Sequence, residues 1–169
     1  MENIGKALRG MYRDTVFDSA DRLIYDSGWM SNTIVENGRI LLASLMKGED
    51  VGGICYMKVG KGLSAWGGEP EAAAASVEDL ETPYEQTILI KSDQDIFYLD
   101  ENGDQTSKPT SRLEVRVAME QGFPVANQTC DLREFGLFNK DLRMINCVYH
   151  PLIQKAATET LIRTIRLFF

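Results

Sequence analysis

Charged and apolar residues alternate without a break from Arg112 to Val117, in the order Arg-Leu-Glu-Val-Arg-Val. Successive side chains of an extended chain point to opposite faces. A period of two therefore predicts a β-strand with one buried face and one face toward solvent. This stretch indicates that the chain contains a β-sheet that is packed on one side against a core.

Most of the chain after Pro83 has the same β character. The Asn102-Gly103 dipeptide predicts a tight turn, because these residues supply the positive φ that such turns need. One helix and about eight strands predict an α+β, mainly antiparallel β fold, either sandwich-like or a sheet-plus-helix domain. Strands are predicted at residues 53–59, 86–91, 95–99, 112–119, 128–138, 143–149 and 160–169.

The one prominent helix is predicted near residues 33–47, where apolar residues recur at helical spacing. Ser31 or Asn32 is expected to be its N-cap, because their side-chain oxygens accept an otherwise unpaired backbone N–H. Gly48 is expected to end it, since glycine adopts the left-handed conformation that closes many helices.

The N-terminal residues are predicted to form a short helix over 1–12, although Gly5 and Gly10 weaken it. The polar segment 18–21 separates two β-prone runs and predicts a hairpin. Residues 60–68 are predicted to be a loop, and 69–83 either a short helix or an acidic surface excursion. We expect a single structural domain over residues 1–169, with the hairpin and helix in 1–50 and the β-rich part in 51–169.

The chain has 169 residues and a formal net charge of -7. An acidic surface repels phosphate, so nucleic acid is not expected as a partner. Three cysteines without a CxxC pair indicate free thiols in a reducing compartment. The N-terminus lacks a signal-peptide core and no run is long enough to span a membrane, so we expect synthesis in the cytoplasm and no direct membrane insertion.

The chain has one histidine, His150, and Pro151 follows it. A general base is one interpretation of His150, and a structural loop residue is the favoured one. Cys147 and His150 have a ligand-like spacing and, with Cys55 and Cys130, would form a zinc site if the fold brought them together. Buried free cysteines are the favoured interpretation.

Three further patterns have both a functional and a structural interpretation. Asp100-x-Asn102-x-Asp104 is similar to the start of a calcium loop but lacks the later ligands, which favours a hairpin turn. Gly60-Lys61-Gly62 is a weak phosphate-binding candidate, and turn glycines are favoured. The acidic run at Glu78, Asp79 and Glu81 would have to line a cleft to serve a hydrolase, and such runs are usually solvated. We therefore predict no enzymatic activity, no catalytic residue, no cofactor and no metal ion.

Aromatic side chains offer a possible glycan-binding platform. On strands, aromatic residues more often belong to the core or to a subunit interface. A cluster of exposed aromatic side chains in one loop region would favour glycan or receptor binding. The candidates are Trp29, Trp66, Tyr84, Phe97, Tyr98, Phe135 and Phe138.

The segment Leu132-Arg133-Glu134-Phe135-Gly136-Leu137-Phe138 resembles a signature of phage tail-collar, tail-fibre and baseplate-associated proteins. In that family the signature lies between two strands, and residues 112–119 and 144–150 occupy those places here. The "strand then G-x-G" segment of the family is similar to residues 56–62. Lys155 and the alternating segment 160–169 complete the order, so the resemblance covers roughly residues 51–169. Residues 11–50 are similar to proteins of contractile-injection gene clusters.

This resemblance implies a structural subunit of a phage tail or of a phage-tail-like contractile injection particle. The chain ends at Phe169 without a receptor-binding shaft. We therefore expect a baseplate, collar or fibre-adaptor component, with a glycan- or receptor-binding tail-tip module as the alternative. The resemblance implies that the chain assembles with itself, as a trimer or hexameric ring, and with other tail or baseplate proteins in the virion tail or particle. From the residues alone, Glu134 is expected to pair with Arg133 or with an arginine of a neighbouring strand. Gly136 is expected at a bulge or a close backbone approach.

Overall fold

The computed structural model describes residues 8–169, and within them eleven strands and one helix form the fold. All strand pairs are antiparallel, so the predicted α+β, mainly antiparallel β fold is confirmed. In chain order the elements are β1 (Arg9–Phe17), β2 (Leu23–Asp26), β3 (Met30–Ile34), α1 (Glu36–Lys47), β4 (Tyr56–Gly60), β5 (Ile88–Leu89), β6 (Ile96–Leu99), β7 (Gln105–Thr106), β8 (Arg112–Met119), β9 (Cys130–Phe138), β10 (Met144–Lys155) and β11 (Thr160–Phe168).

Strand β3 connects two sheets that pack face to face. Its residues 30–32 pair with β1 in the first sheet, and Thr33 and Ile34 pair with β10 in the second. The first sheet has the order β1, β11, β8, β6, β7, with β2 and β3 both on the free side of β1. The second sheet has the order β3, β10, β9, β4, β5. The hairpin predicted around residues 18–21 is β1–β2.

The core between the sheets follows from the period-two pattern that the sequence shows. In β8, Val115, Val117 and Met119 are buried, while Arg116 on the other face is exposed. Glu114 departs from the simple pattern, because it lies on the outer face yet is buried, with its carboxylate bonded to Arg166. Alternation thus sets the direction of each side chain, and neighbouring strands decide how much of it is covered.

The helix begins later than predicted, at Glu36 rather than near residue 33. Ser31 and Asn32 are not its caps, since both lie in β3 and their backbone pairs with β1. Val35 occupies the N-cap position without a side-chain cap, and the N–H of Glu36 donates to the carbonyl of Ala75 instead. A backbone carbonyl from a distant loop therefore takes the place of a local capping side chain. Gly48 ends the helix in the left-handed region with φ 94°, as predicted.

Gly38 fixes how α1 packs on the second sheet. A Cβ at this position would lie 2.3 Å from the carbonyl oxygen of Ile145 in β10. Glycine in a helix costs about 1 kcal/mol relative to alanine. Here it allows the helix backbone to lie directly on the strand.

The prediction of a short helix over residues 1–12 is wrong for residues 9–12, which form part of a strand. Residues 1–7 lie outside the described part of the chain, and residues 9–12 belong to β1. Tyr12 and Val16 point into the core with a period of two, and β11 pairs with β1 over its whole length. Long-range pairing therefore overrides the local apolar spacing that suggested a helix.

The segment between β4 and β5 is a long loop over the outer face of the second sheet. Residues 69–83 are an acidic surface excursion and not a helix, which settles the two alternatives. The strand predicted at 86–91 is reduced to Ile88–Leu89. Strand β10 continues past the predicted end and passes through Pro151, where the pairing with β9 shifts register between Tyr149 and Ile153. A proline is tolerated there because the irregularity removes the need for its N–H.

Within residues 8–169 no helix combines the length and the apolar character needed to cross a membrane.

Candidate functional site

Helix α1 exposes apolar side chains to solvent. Leu45 is 52% exposed and Met46 is 81% exposed, and Ile40 and Leu42 are also exposed. We call these four residues the α1 patch. The helix is held mainly through its contact with β10, where Gly38 is buried. The described residues therefore leave much of the apolar surface of its C-terminal half exposed.

A cavity of about 440 Å³ lies between α1 and the end of the sandwich. Leu41, Leu42 and Leu45 form the helix side of the cavity, and the two sheets contribute apolar side chains such as Ile96 and Ile145. Phe169 lines the same cavity and is itself exposed. Leu42 and Leu45 of the α1 patch line the cavity, so this part of the patch and the cavity form one continuous apolar region.

Such a region has a defined physical meaning. Contiguous exposed apolar surface is uncommon on soluble chains and typically marks a contact with another macromolecule or a ligand. The apolar spacing of α1 would normally produce a buried stripe. In this chain the stripe borders an open cavity, and within residues 8–169 several of its apolar side chains stay exposed.

A second candidate is a buried cluster of charged and aromatic side chains between the sheets. Asp14 and Arg163 are cross-strand partners in β1 and β11, and both side chains are 0% exposed. The guanidinium donates from Nε to Asp14 Oδ1 at 2.7 Å and from Nη2 to Oδ2 at 2.8 Å. It also lies over the ring of Phe135, 3.8 Å from the centroid. The ion pair is thus bidentate and shielded from water.

His150 completes this cluster and its tautomer follows from the contacts. Arg163 Nη2 lies 3.2 Å from His150 Nε2, and a guanidinium can only donate, so Nε2 is the acceptor. The proton then resides on Nδ1, which donates to the carbonyl of Pro151 at 2.8 Å. Burial, followed by the charge of Arg163, lowers the pKa of His150 to about 4.

The cluster is arranged for stability and not for proton transfer. Both ring nitrogens of His150 and both carboxylate oxygens of Asp14 are already engaged in hydrogen bonds. A general base needs a free ring nitrogen within reach of a substrate proton. The expectation that His150 lies in a loop is wrong, because it is a core residue of β10.

Stability is expected to fall as the pH is lowered from about 6.5 to about 4. His150 has a folded-state pKa of about 4 against an ordinary value of 6.5, so the unfolded chain takes up the proton first as the pH falls. The stabilisation from neutral His150 is complete above pH 6.5 and is lost through this window. Melting temperatures of the parent and of His150→Gln, measured across this range, should converge as the pH falls. A constant difference between the two would contradict this assignment.

The possible zinc ligands are not brought together. Cys147 packs in an apolar cluster with Phe138 and Met144, whereas His150 lies in the core between the sheets beside Phe135. Cys55 and Cys130 are free thiols in other strands or loops. No group of three or more potential metal ligands occurs in the described residues. Burial raises the pKa of the Cys147 thiol to about 12, so it behaves as a small apolar side chain.

The loop at Gly60 and Gly62 binds a carboxylate of the same chain, that of Glu134. Oε1 of Glu134 accepts hydrogen bonds from the N–H groups of Gly62 and Thr82, and Oε2 accepts one from Glu81. A Cβ on Gly60 would lie 2.3 Å from Glu134 Oε1. The predicted pairing of Glu134 with an arginine is therefore wrong. Burial raises the pKa of Glu134 above its usual value, and the backbone bonds oppose that shift.

The remaining sequence candidates are separated in the fold. Asp100 Oδ1 accepts the N–H groups of Asn102 and Asp104, which confirms the hairpin turn between β6 and β7. Trp66 packs on Tyr149 with ring centroids 4.2 Å apart, and Trp29 lies over Arg166 of the first sheet. Tyr84, Phe135 and Phe138 are buried. Phe97 and Tyr98 lie next to each other on β6, where Phe97 is half-buried and Tyr98 is exposed, so the seven aromatic side chains do not form one exposed cluster.

Two features of the structure were missed by the sequence reasoning. The exposure of α1 has no local signal, because its apolar spacing is the same as that of a buried helix. The buried ion pair did have a local signal, since Asp14 lies between Tyr12 and Val16 at a core-facing position of its strand. Arg163 falls between Leu161 and Ile165 in the same way. Two opposite charges at core-facing positions of two strands indicate a buried ion pair.

Comparison of the chain with protein-family models, with curated proteins and with solved structures finds no match.

Proposed function

We propose that this chain is a structural subunit of a phage tail or a phage-tail-like contractile injection particle, in which it acts in assembly as a baseplate, collar or fibre-adaptor component. The particle type rests on the order of the residue patterns from 51 to 169. The assembly role rests on one structural observation, which is the exposed α1 patch next to an apolar cavity.

The chemistry of the α1 patch suits a protein partner. Leu45 and Met46 are long, flexible and apolar, and methionine adapts readily to an irregular partner surface. The cavity would accept apolar side chains from the partner, which would remove both surfaces from water. Removal of apolar area from water favours association, although the buried area alone does not set the affinity. We propose a second subunit of the same particle as the partner.

Leu45→Glu is expected to weaken assembly while leaving the subunit folded. Its side chain is half exposed, so the fold does not depend on it, but a carboxylate in an apolar interface would be desolvated without a partner. Light scattering and sedimentation should show a trimer or hexamer for the parent and smaller species for the variant. Incorporation into particles should fall in parallel.

Leu152→Glu is a matched control for this experiment. Leu152 is exposed to a similar degree but lies in the distant half of β10, away from α1. It should assemble like the parent. A parent that is monomeric at every concentration and also fails to join particles would refute the proposed function.

A further inference from the structure

The outer face of the first sheet carries a concentration of arginines in an acidic chain. The register places Arg9, Phe168 and Arg112 in one cross-strand row, Met11, Arg166 and Glu114 in the next, and Arg13, Thr164 and Arg116 in a third. All three rows lie on the same side of β1, β11 and β8. We call this surface the basic face, and its arginines are Arg9, Arg13, Arg112, Arg116 and Arg166.

The positive charge of this face is only partly compensated. Arg13 is paired with Asp26, and Glu114 is shared by Arg166 at 3.0 Å and Arg116 at 3.5 Å. Asp26 and Glu114 are the two carboxylates that form ion pairs with these arginines among the described residues, while Arg112 and Arg166 also donate to the backbone carbonyls of Asp100 and Gly103 in the acidic turn between β6 and β7. Arg9 has no carboxylate partner within the described residues and lies over the ring of Phe168.

Half-buried apolar side chains lie between the arginines. Met11, Ile162 and Phe168 belong to the same face, and the Trp29 ring lies 4.6 Å from the Arg166 guanidinium carbon. Protein interfaces are enriched in arginine, methionine and aromatic residues. The composition of the basic face therefore favours a protein surface as its partner over a phosphate backbone.

The opposite side of the sandwich carries the complementary charge. Residues 69–85 contain six acidic residues and no lysine or arginine. We call this segment the acidic loop. Its acidic residues are all exposed: Glu69, Glu71, Glu78, Asp79, Glu81 and Glu85.

The acidic loop is held firmly enough to serve as a docking surface. Ala73 and Leu80 pack with Phe138 and Met144 on the outer face of the second sheet. The N–H of Glu81 donates to the buried carboxylate of Glu134 at 2.9 Å. Only Asp79 has a basic partner, Lys58, among the described residues.

We infer that the basic face of one copy docks on the acidic loop of the next copy, in a head-to-tail arrangement. The two surfaces lie on opposite sides of the sandwich, so they cannot neutralise each other within one molecule. A second copy brings the complementary surface with it. A contact between two different surfaces repeats, and it closes into a ring or continues as a filament. This inference rests on the proposed function and names the surfaces that it uses.

Two charge-reversal variants test the inference. The face variant is Arg9→Glu with Arg116→Glu, and the loop variant is Glu71→Lys with Glu78→Lys. All four side chains are exposed and lie outside the α1 patch, and Glu114 keeps Arg166 as its partner at 3.0 Å, so circular dichroism should show each variant folded. Each variant alone should assemble at least about tenfold more weakly than the parent, because like charges then meet at the contact.

An equimolar mixture of the two variants is the decisive sample. The carboxylates introduced on the basic face of one variant can pair with the lysines introduced on the acidic loop of the other, and the unchanged surfaces match as well, so the mixture should regain the parent's oligomer in sedimentation. Added salt should weaken the parent and the mixture alike. Failure of the mixture to recombine would overturn the inference. So would parent-like assembly of both variants alone, which would leave the proposed function intact if Leu45→Glu still disrupts assembly. Loss of heparin binding by the face variant, without any change in assembly, would assign the face to a polyanion instead.

Discussion

Replacement of Arg163 by methionine is expected to lower the free energy of unfolding by about 3–5 kcal/mol. The substitution removes both hydrogen bonds to Asp14 and leaves a carboxylate that is 0% exposed without a countercharge. It also removes the contact with the Phe135 ring and the donor to His150 Nε2. Urea denaturation at neutral pH, followed by tryptophan fluorescence and circular dichroism, measures the loss.

Two comparisons separate burial from charge. Arg22→Met breaks an exposed ion pair with Asp18, and its cost should stay below about 1 kcal/mol. Asp14→Leu combined with Arg163→Met removes both charges, so the double variant should be far less destabilised than the sum of the single variants. Additive losses would show that the two side chains do not act as a pair.

Gly136→Val is expected to destabilise the subunit by about 3 kcal/mol. A Cβ at this position would lie 2.8 Å from the carbonyl oxygen of Asn146, 3.1 Å from Met144 Cε and 3.2 Å from Phe138 Cε2. The first of these is a backbone atom of the paired strand, so it cannot move aside without disturbing β10. Thermal melting of the isolated subunit should report the loss, because all three contacts are within the same chain.

Gly53→Val is the matched control for this prediction. Nothing lies within 4 Å of a Cβ at Gly53, so the same substitution should change stability by less than about 0.5 kcal/mol. Equal melting temperatures for Gly136→Val and the parent would contradict the close approach. Normal melting with failed assembly would instead place Gly136 at an interface between subunits.

The sequence predicted Gly136 in part. A glycine within the β-prone segment 132–138 indicates a bulge or a close approach, and the structure shows the close approach at Gly136. The nearest register shift lies on β10 between Met144 and Asn146, opposite Phe138 and Leu137, whereas Gly136 pairs regularly with Cys147. The left-handed backbone that a bulge can require is not found at Gly136, which is absent from the glycines with positive φ in the described residues. The sequence could not distinguish these causes, because the choice depends on the opposing strand.

The start of α1 likewise depends on contacts that the local sequence does not reveal. The apolar spacing and Gly48 predicted the helix and its end, since both depend on residues within one or two turns. Its start was wrong because Ser31 and Asn32 are used by β3, and the N–H of Glu36 is satisfied by Ala75. A capping side chain is a local signal, but a strand pairing across the fold can claim the same residue.

The candidate surfaces divide in a similar way. The sequence alone determined the β-rich fold class, the strand alternation and the acidic character of residues 69–85, because each is a property of adjacent residues. Only the tertiary structure decided that α1 stays exposed, that the arginines of β1, β8 and β11 share one face, and that Asp14 meets Arg163. That last pair spans 149 positions of the chain. Such contacts depend on strand order and register, which arise when the whole chain buries its apolar surface, and no local pattern specifies them.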